Sequence, residues 1–217
     1  MHVHYLGERN TILNQFIAEL RDVDIQADPM RFRRNIERVG EILCYELSQT
    51  LEYETRTIRT PLGTTTMPVP VTPLVLCSVL RAGLPLHQGL LNYFDRAENA
   101  FISAYRHHPG GGDAFEVVVK YFAAPSLEGK TLILTDPMLA TGTTLENVLG
   151  ALRAHGEPAR IHILSVIGSR KGVAHVQKVF PESTHLWIAA IDDTLSAKGY
   201  IIPGLGDAGD LAFGVKL

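Results

Sequence analysis

The chain has 217 residues, 46% of them hydrophobic, enough for one sizeable α/β domain with a real core. Its formal net charge of −3 excludes the broad positive field expected of a protein that coats nucleic acid or an anionic membrane. A phosphate-rich ligand would have to be held by a local site. The start, MHVHYLGERN, lacks a basic segment followed by an apolar one, so it does not read as a signal peptide. No apolar run reaches the roughly 18 residues of a membrane helix, and the expected location is cytoplasmic. Cys44 and Cys77 stand in no metal-ligand spacing and read as reduced, partly buried thiols.

Thr11 to Leu20 predicts a helix with Ile12, Phe16, Ile17 and Leu20 on one side. Asp28 followed by Pro29 is a helix start, and Phe32, Ile36, Val39, Leu43 and Leu47 predict an amphipathic helix to about Leu51. Arg31, Arg33, Arg34 and Arg38 lie between those apolar positions. With Glu37 and Glu41 interleaved, they read as a solvated or partner-facing surface rather than a phosphate site. Tyr53 to Val71 predicts two strands joined at Pro61-Leu62-Gly63, an arm rather than a domain. Leu74 to Val79 is a continuous apolar run, as in a strand covered on both faces.

Further strands are expected at Ala100 to Tyr105, Phe115 to Phe122, Leu132 to Leu134, Ile161 to Ile167 and Leu186 to Ala190. Helices are expected at Leu84 to Phe94, Glu146 to Arg153 and Val173 to Val179. This alternation predicts an α/β fold, a largely parallel sheet flanked by helices. The tail from Asp192 is rich in glycine. Its interspersed Tyr200, Ile201, Ile202, Leu205 and Phe213 argue that it is ordered.

The segment TLILTDPMLATGTTL, Thr131 to Leu145, carries the most chemistry. It is a buried strand, an acid at the strand's end, a loop of small residues and a helix start. Ligands in open α/β sheets bind outside the carboxyl ends of the strands. The loop Ala140-Thr141-Gly142-Thr143-Thr144 offers amide N–H groups, threonine hydroxyls and a helix dipole to an anion. Asp136 is a carboxylate acceptor suited to ribose hydroxyls. The segment can therefore hold a ribose 5-phosphate. The alternative is a plain strand-to-helix turn with threonine caps. Neither a GxxxxGK[ST] loop nor a GxGxxG fingerprint is present in it.

DPMLATG resembles the motif by which type I phosphoribosyltransferases bind 5-phosphoribosyl 1-diphosphate (PRPP), and the proline after the aspartate is similar to that of the uracil phosphoribosyltransferases. SVLRAGLPL at Ser78 to Leu86 is similar to that family's diphosphate loop, and GYIIPGLGDAGDLAFG at Gly199 to Gly214 to its uracil-binding hood. The resemblance covers the chain from about Asp28 to Leu217. It implies a single phosphoribosyltransferase domain over 1–217: N-terminal helices at 1–52, a β-hairpin arm at 53–71, a core at 72–191 and a C-terminal glycine-rich hood at 192–217. It implies pyrimidine salvage, uracil plus PRPP giving UMP and diphosphate.

The implied roles follow the motifs. Arg81 would hold the diphosphate as a forked, always-charged donor. Arg106 would contact PRPP phosphates. Asp136, Pro137, Met138, Leu139, Ala140, Thr141, Gly142, Thr143 and Thr144 would bind the ribose 5-phosphate. Ile201, Gly206, Asp207 and Ala208 would bind uracil, with Asp207 also near PRPP. Arg81 and Asp207 are the catalytic candidates, Asp207 being the one candidate for a base. Mg²⁺ is expected as a cofactor carried on PRPP, without a dedicated protein cage. His107 to Asp113 is a candidate lid. A homodimer or larger homo-oligomer is implied, with no nucleic acid or membrane partner.

Two departures stand out. Gly168-Ser169-Arg170-Lys171-Gly172 occupies the place of the family's AAPEG, a swap that bears on regulation or assembly. Val117 to Pro125 lacks the lysine usual before the proline, which bears on effector response. The rival readings are an RNA-binding regulator, for which the Arg31 to Arg38 face is the candidate surface; a purine enzyme of the same fold; and an inactive scaffold.

Overall fold

A computed structural model of the chain describes residues 1–107 and 116–216, with the backbone alone described at 104–107 and 116–120. The central sheet has eight strands. In chain order the elements are β1 (His2–Tyr5), α1 (Ile12–Arg21), α2 (Pro29–Ser48), β2 (Tyr53–Thr60), β3 (Gly63–Pro70), β4 (Leu74–Leu80), α3 (Gly83–Leu91), β5 (Glu98–His107) and β6 (Glu116–Ala123). Then come β7 (Thr131–Thr135), β8 (Met138–Leu139), α4 (Thr143–Leu152), β9 (Arg160–Ser169), α5 (Arg170–Val179), β10 (His185–Asp192), β11 (Thr194–Leu195), β12 (Ile201–Ile202) and α6 (Ala208–Phe213). Strand order is β1-β10-β9-β7-β4-β5-β6, with β8 paired to β9. Every pairing in this sheet is parallel except β5 with β6. The expected fold class, a largely parallel sheet between helices, is what the chain adopts.

The apolar runs follow from burial on both faces of the sheet. Val75 and Cys77 of β4, with Leu132 and Leu134 of β7, pack with Leu145, Val148 and Leu149 of α4 and Val176 of α5. Leu76 and Ile133, pointing the other way, pack with the α1, α2 and α3 side chains Leu13, Ile36, Leu43 and Leu86. Period-2 alternation therefore serves two apolar layers, and no polar stripe results. Both cysteines are free and fully buried. Burial pushes the Cys77 thiol up to about 12 and the Cys44 thiol upward as well, so neither is a reactive thiolate.

Most helix limits follow local capping. Thr11 Oγ1 accepts from Leu13 N, and Asp28 accepts from Met30 N and Arg31 N at the Pro29 start. α2 ends three residues before the expected Leu51. There the backbone tightens into i→i+3 bonds at Gln49, Thr50 and Leu51, and Thr50 Oγ1 bonds to the Leu47 carbonyl at 2.8 Å. β1 and α6 were not expected. β1 is four residues long and exists by pairing with β10 across the sheet edge, which no local pattern signals. α6 is capped by Asp207, whose Oδ1 accepts from Gly209 N and Asp210 N. The hairpin β2–β3 has the expected turn, with register Thr60 to Gly63, and its residues are almost all exposed. No helix among the described residues is long and apolar enough to cross a membrane.

Candidate active site

β7, β4 and β5 are parallel neighbours, and two candidate groups, Asp136 and Arg81, leave the carboxyl ends of β7 and β4 together. Ser78 of β4 pairs with Thr135 of β7, and Leu80 pairs with Ser103 of β5. Asp136 follows β7 directly and Arg81 follows β4 directly. Arg106 sits near the end of β5; its side chain lies outside the described residues. The chain runs from β4 through α3 to β5 on one side, while β7 enters on the other. That makes the β4/β7 boundary a point where strand order reverses, the usual crevice of an open α/β sheet. Thr135 Oγ1 stitches the two strand ends, lying 3.1 Å from Ser78 Oγ and 3.3 Å from the Cys77 carbonyl.

The Asp136–Thr144 loop divides into an anchor and an open end. The Pro137 carbonyl accepts from Val166 N and Ile167 N. Met138–Leu139 forms the short strand β8 against β9, and Leu139 is 1% exposed within the core. Pro137 and Leu139 therefore hold the loop in place, and only their backbone is left to meet a ligand. Asp136 is half-buried, with Oδ1 accepting from Met138 N at 3.2 Å. Beyond Ala140 the character changes. Gly142, at φ +83°, is the N-cap of α4 and offers no side-chain cap; the nearest side-chain acceptor is Thr141 Oγ1, 3.4 Å from Thr143 N. The first turn of α4 is thus presented to an anion. Thr141 Oγ1 bonds Thr143 Oγ1 at 3.2 Å, and Thr141, Thr143 and Thr144 are half-buried.

The β9–α5 junction pins this loop from behind. Ser169 Oγ donates to the Ala140 carbonyl at 2.6 Å and accepts from Gly172 N at 2.9 Å. Gly172 approaches so closely that a Cβ there would stand 2.5 Å from Ala140 O and 2.6 Å from Leu139 O. His175 Nε2 lies 2.8 Å from Glu146 Oε2 of α4. Arg170 instead pairs at the surface with Asp193, at 2.5 Å. The segment 168–172, read from sequence as bearing on regulation or assembly, is in the structure the buttress of the loop.

The hood closes over the other side. Ile201 and Ala208 are 4% and 3% exposed, Gly206 is exposed at φ +89°, and Asp207 is half-buried at the start of α6. Lys216 Nζ stands 3.9 Å from Asp207 Oδ2. Arg81 reaches across from the β4 loop. Its Nη2 donates to Asp210 Oδ1 at 3.0 Å and to the Gly214 carbonyl at 3.2 Å. The three motifs, separated in sequence, thus meet at one place, apart from Arg106 and the candidate lid, of which residues 108–113 lie outside the described residues. The peptides Leu80–Arg81 and Ile202–Pro203 are cis.

Sequence reasoning missed several residues that build this site. Asp210 is the partner of Arg81. Asp192, at the end of β10, holds Gly204 N at 2.9 Å and pairs with both Arg21 nitrogens at 2.8 Å. Arg33 Nη1 donates to the Ala212 carbonyl of α6 at 2.7 Å and lies over the Phe213 ring. The basic face of α2 keeps Arg31 and Arg34 exposed, as expected of a solvated surface, and its cations are also paired within the chain. Arg31 is forked onto Glu19 at 2.8 and 2.7 Å, Arg34 pairs with Glu37 at 2.6 Å, and Arg38 donates to Asn35 and lies over Phe16. These four cations serve the chain itself, which weakens the RNA-binding reading. Asp192, an acid at a strand's carboxyl end like Asp136, was the one available signal. The others depend on distant partners.

A sequence model of the uracil phosphoribosyltransferase family matches residues 8–215. A curated uracil phosphoribosyltransferase from Porphyromonas gingivalis is 51% identical over 217 residues, covering 100% of both chains. One from Methanothermobacter thermautotrophicus is 38% identical over 208 residues, 94% of this chain and 93% of that one. A solved structure of a protein from Aquifex aeolicus superposes with a TM-score of 0.87 at 28% identity, covering 99% of each chain. Motif order, the meeting of the three loops and full-length similarity agree: the chain belongs to the uracil phosphoribosyltransferase family.

Proposed function

We propose that the chain transfers the phosphoribosyl group of PRPP to N1 of uracil, forming UMP and diphosphate in pyrimidine salvage in the cytoplasm. The observation that carries this reading is the meeting of the Asp136–Thr144 loop, Arg81 and the hood at one end of the sheet. The bond from the ribose anomeric carbon to diphosphate breaks as the bond to uracil N1 forms, and N1 gives up its proton. The transition state carries positive character at the anomeric carbon, as in glycoside cleavage. Thr141, Thr143, Thr144 and the first amides of α4 hold the 5-phosphate, and Asp136 accepts from the ribose hydroxyls. Arg81, with Arg106, neutralises charge gathering on the diphosphate. Asp207 stands at the junction of the two substrates and is the candidate acceptor for the N1 proton.

Uracil offers an N3–H donor between two carbonyl acceptors. Backbone groups around Ile201, Gly206 and Ala208 complement that pattern. Cytosine, with an amino group and an acceptor N3, would leave them unpaired. No cluster of three or more His, Cys, Asp or Glu side chains able to hold a metal ion occurs among the described residues. Mg²⁺ carried on PRPP would supply further charge neutralisation beside Arg81 when bound. The chain works as one unit, with residues 1–52 supporting the hood. The exposed β2–β3 arm, which carries Ile58, Leu62 and Met67 on its surface, supports a homodimer or larger homo-oligomer. Light scattering of a variant with 53–71 replaced by a short linker tests that, and an unchanged mass would overturn it.

The deciding experiment is base selectivity. Purified protein, PRPP and Mg²⁺ are mixed with uracil, cytosine, hypoxanthine or orotate, and nucleotide formation is followed. UMP from uracil alone is expected. Nucleotide from another base, or none from any, would overturn the reading.

A further inference from the structure

We propose that Arg21 and Asp192, joined as a forked ion pair, are positioning residues for base recognition: they set the two peptide planes at Gly204 and so the placement of Gly206 to Ala208. The inference rests on the hood being the uracil site. Gly204 is gripped from both sides. Its N–H donates to Asp192 Oδ2 at 2.9 Å, and its carbonyl accepts from Arg21 Nη1 at 3.1 Å. The same Arg21 nitrogens hold Asp192 Oδ2 and Oδ1 at 2.8 Å each. A guanidinium can do this because it is planar and offers donors in a fixed fork. Asp192 is 8% exposed and Arg21 is partly covered, so the pair is shielded from solvent and held in one geometry.

A third residue extends the grip. Gln26 is buried. Its Nε2 donates to the Arg21 carbonyl at 3.0 Å, and its Oε1 lies 3.8 Å from where a Cβ on Gly206 would stand. The end of α1 and the loop after it thus form the back wall of the hood. A base site made of backbone groups has no side-chain rotamers to adjust. Its selectivity depends wholly on where the peptide planes are held, and a displacement of about 1 Å costs on the order of a hundredfold. Arg21 and Asp192 act through Gly204 and need not touch uracil.

The test compares the wild type with Arg21→Lys, Asp192→Asn and Asp192→Glu. Lysine keeps the charge and loses the fork. Asparagine keeps an acceptor for Gly204 and loses the ion pair. Glutamate keeps the pair and lengthens its arm, and covers the case in which the neutral variant does not fold. Asp193→Asn removes a neighbouring exposed charge as a control. The expected result is a rise in the uracil KM of about tenfold in all three, with kcat and the directly measured PRPP Kd within about twofold. The control keeps the wild-type uracil KM. Folded variants with wild-type uracil KM would overturn the inference. So would a uracil KM and a PRPP Kd rising in step with a falling Tm, which is the mark of a merely structural pair. A wild type that makes no UMP fails the proposed function and this inference together, whereas an active wild type with silent variants fails the inference alone.

Discussion

Asp207 has two tasks that a single substitution to alanine would confound. Its Oδ1 caps α6 through Gly209 N and Asp210 N, and removing such a cap costs about 1 kcal/mol. In the proposed reaction its carboxylate is also the candidate acceptor for the uracil N1 proton. Asp207→Ala is expected to abolish turnover. Asp207→Asn retains a good capping group, so turnover should fall while Tm holds. A loss of Tm equal to that of Asp207→Ala would show that capping was its whole contribution. Asp136 stands at the opposite wall, where Asp136→Asn is expected to weaken PRPP binding about tenfold, read by titration. Wild-type affinity would remove Asp136 from the ribose site.

The elements explain why the anion loop keeps its shape. β8 fastens its first half to β9, and Ser169 and Gly172 hold its middle from the start of α5. Gly172→Ala would drive a methyl into the carbonyls of Leu139 and Ala140, and neither oxygen can move without moving the loop. The expected result is a PRPP KM raised by an order of magnitude or more with little change in the uracil KM. Gly150→Ala serves as the counter-case. Gly150 lies within α4 with nothing inside 4 Å of a new Cβ, so alanine should stabilise by about 0.5–1 kcal/mol and leave kinetics alone. Equal PRPP effects from both variants would refute the buttress. The sequence carried the Ser-x-x-Gly pattern openly, yet its meaning depended on which loop lay against it.

At the scale of the molecule, buried ionisable groups set two pH windows. His162 is 1% exposed, and burial, with His185 and Arg160 adding to it, lowers its pKa to about 3. Burial also lowers His4 and His185, which lie beside it on the β1–β10–β9 edge. The unfolded chain takes up these protons below about pH 6.5, and the native protein takes them up only at lower pH. Stability therefore falls as pH drops from about 6.5 toward 3, by about 1.4 kcal/mol per pH unit for His162. Glu19 behaves as an acid held charged. Hydrogen bonds from Arg31, Gln15 and Asn35 lower it to about 2, so its contribution is complete above pH 4.5 and is lost between there and about 2. Tm measured against pH should slope downward below 6.5, and His162→Asn should flatten that slope. A slope unchanged by the substitution would place the effect elsewhere.

The local chemistry of this chain was legible without any structure. The apolar runs of β4 and β7 announced buried strands. Asp28-Pro29 announced a helix start. The acid, small-residue loop and threonines after β7 pointed to a candidate anion site, because capping, amide donors and strand periodicity are properties of neighbouring residues. What only the tertiary structure decided were the partners. That Arg81 meets Asp210, that Arg21 and Asp192 clasp Gly204, that the arginines of α2 are occupied within the chain, and that four residues at the start complete the sheet edge all depend on contacts between segments far apart in sequence. Such pairings arise from the packing of the whole chain, and no residue carries a local mark of the distant one it will meet.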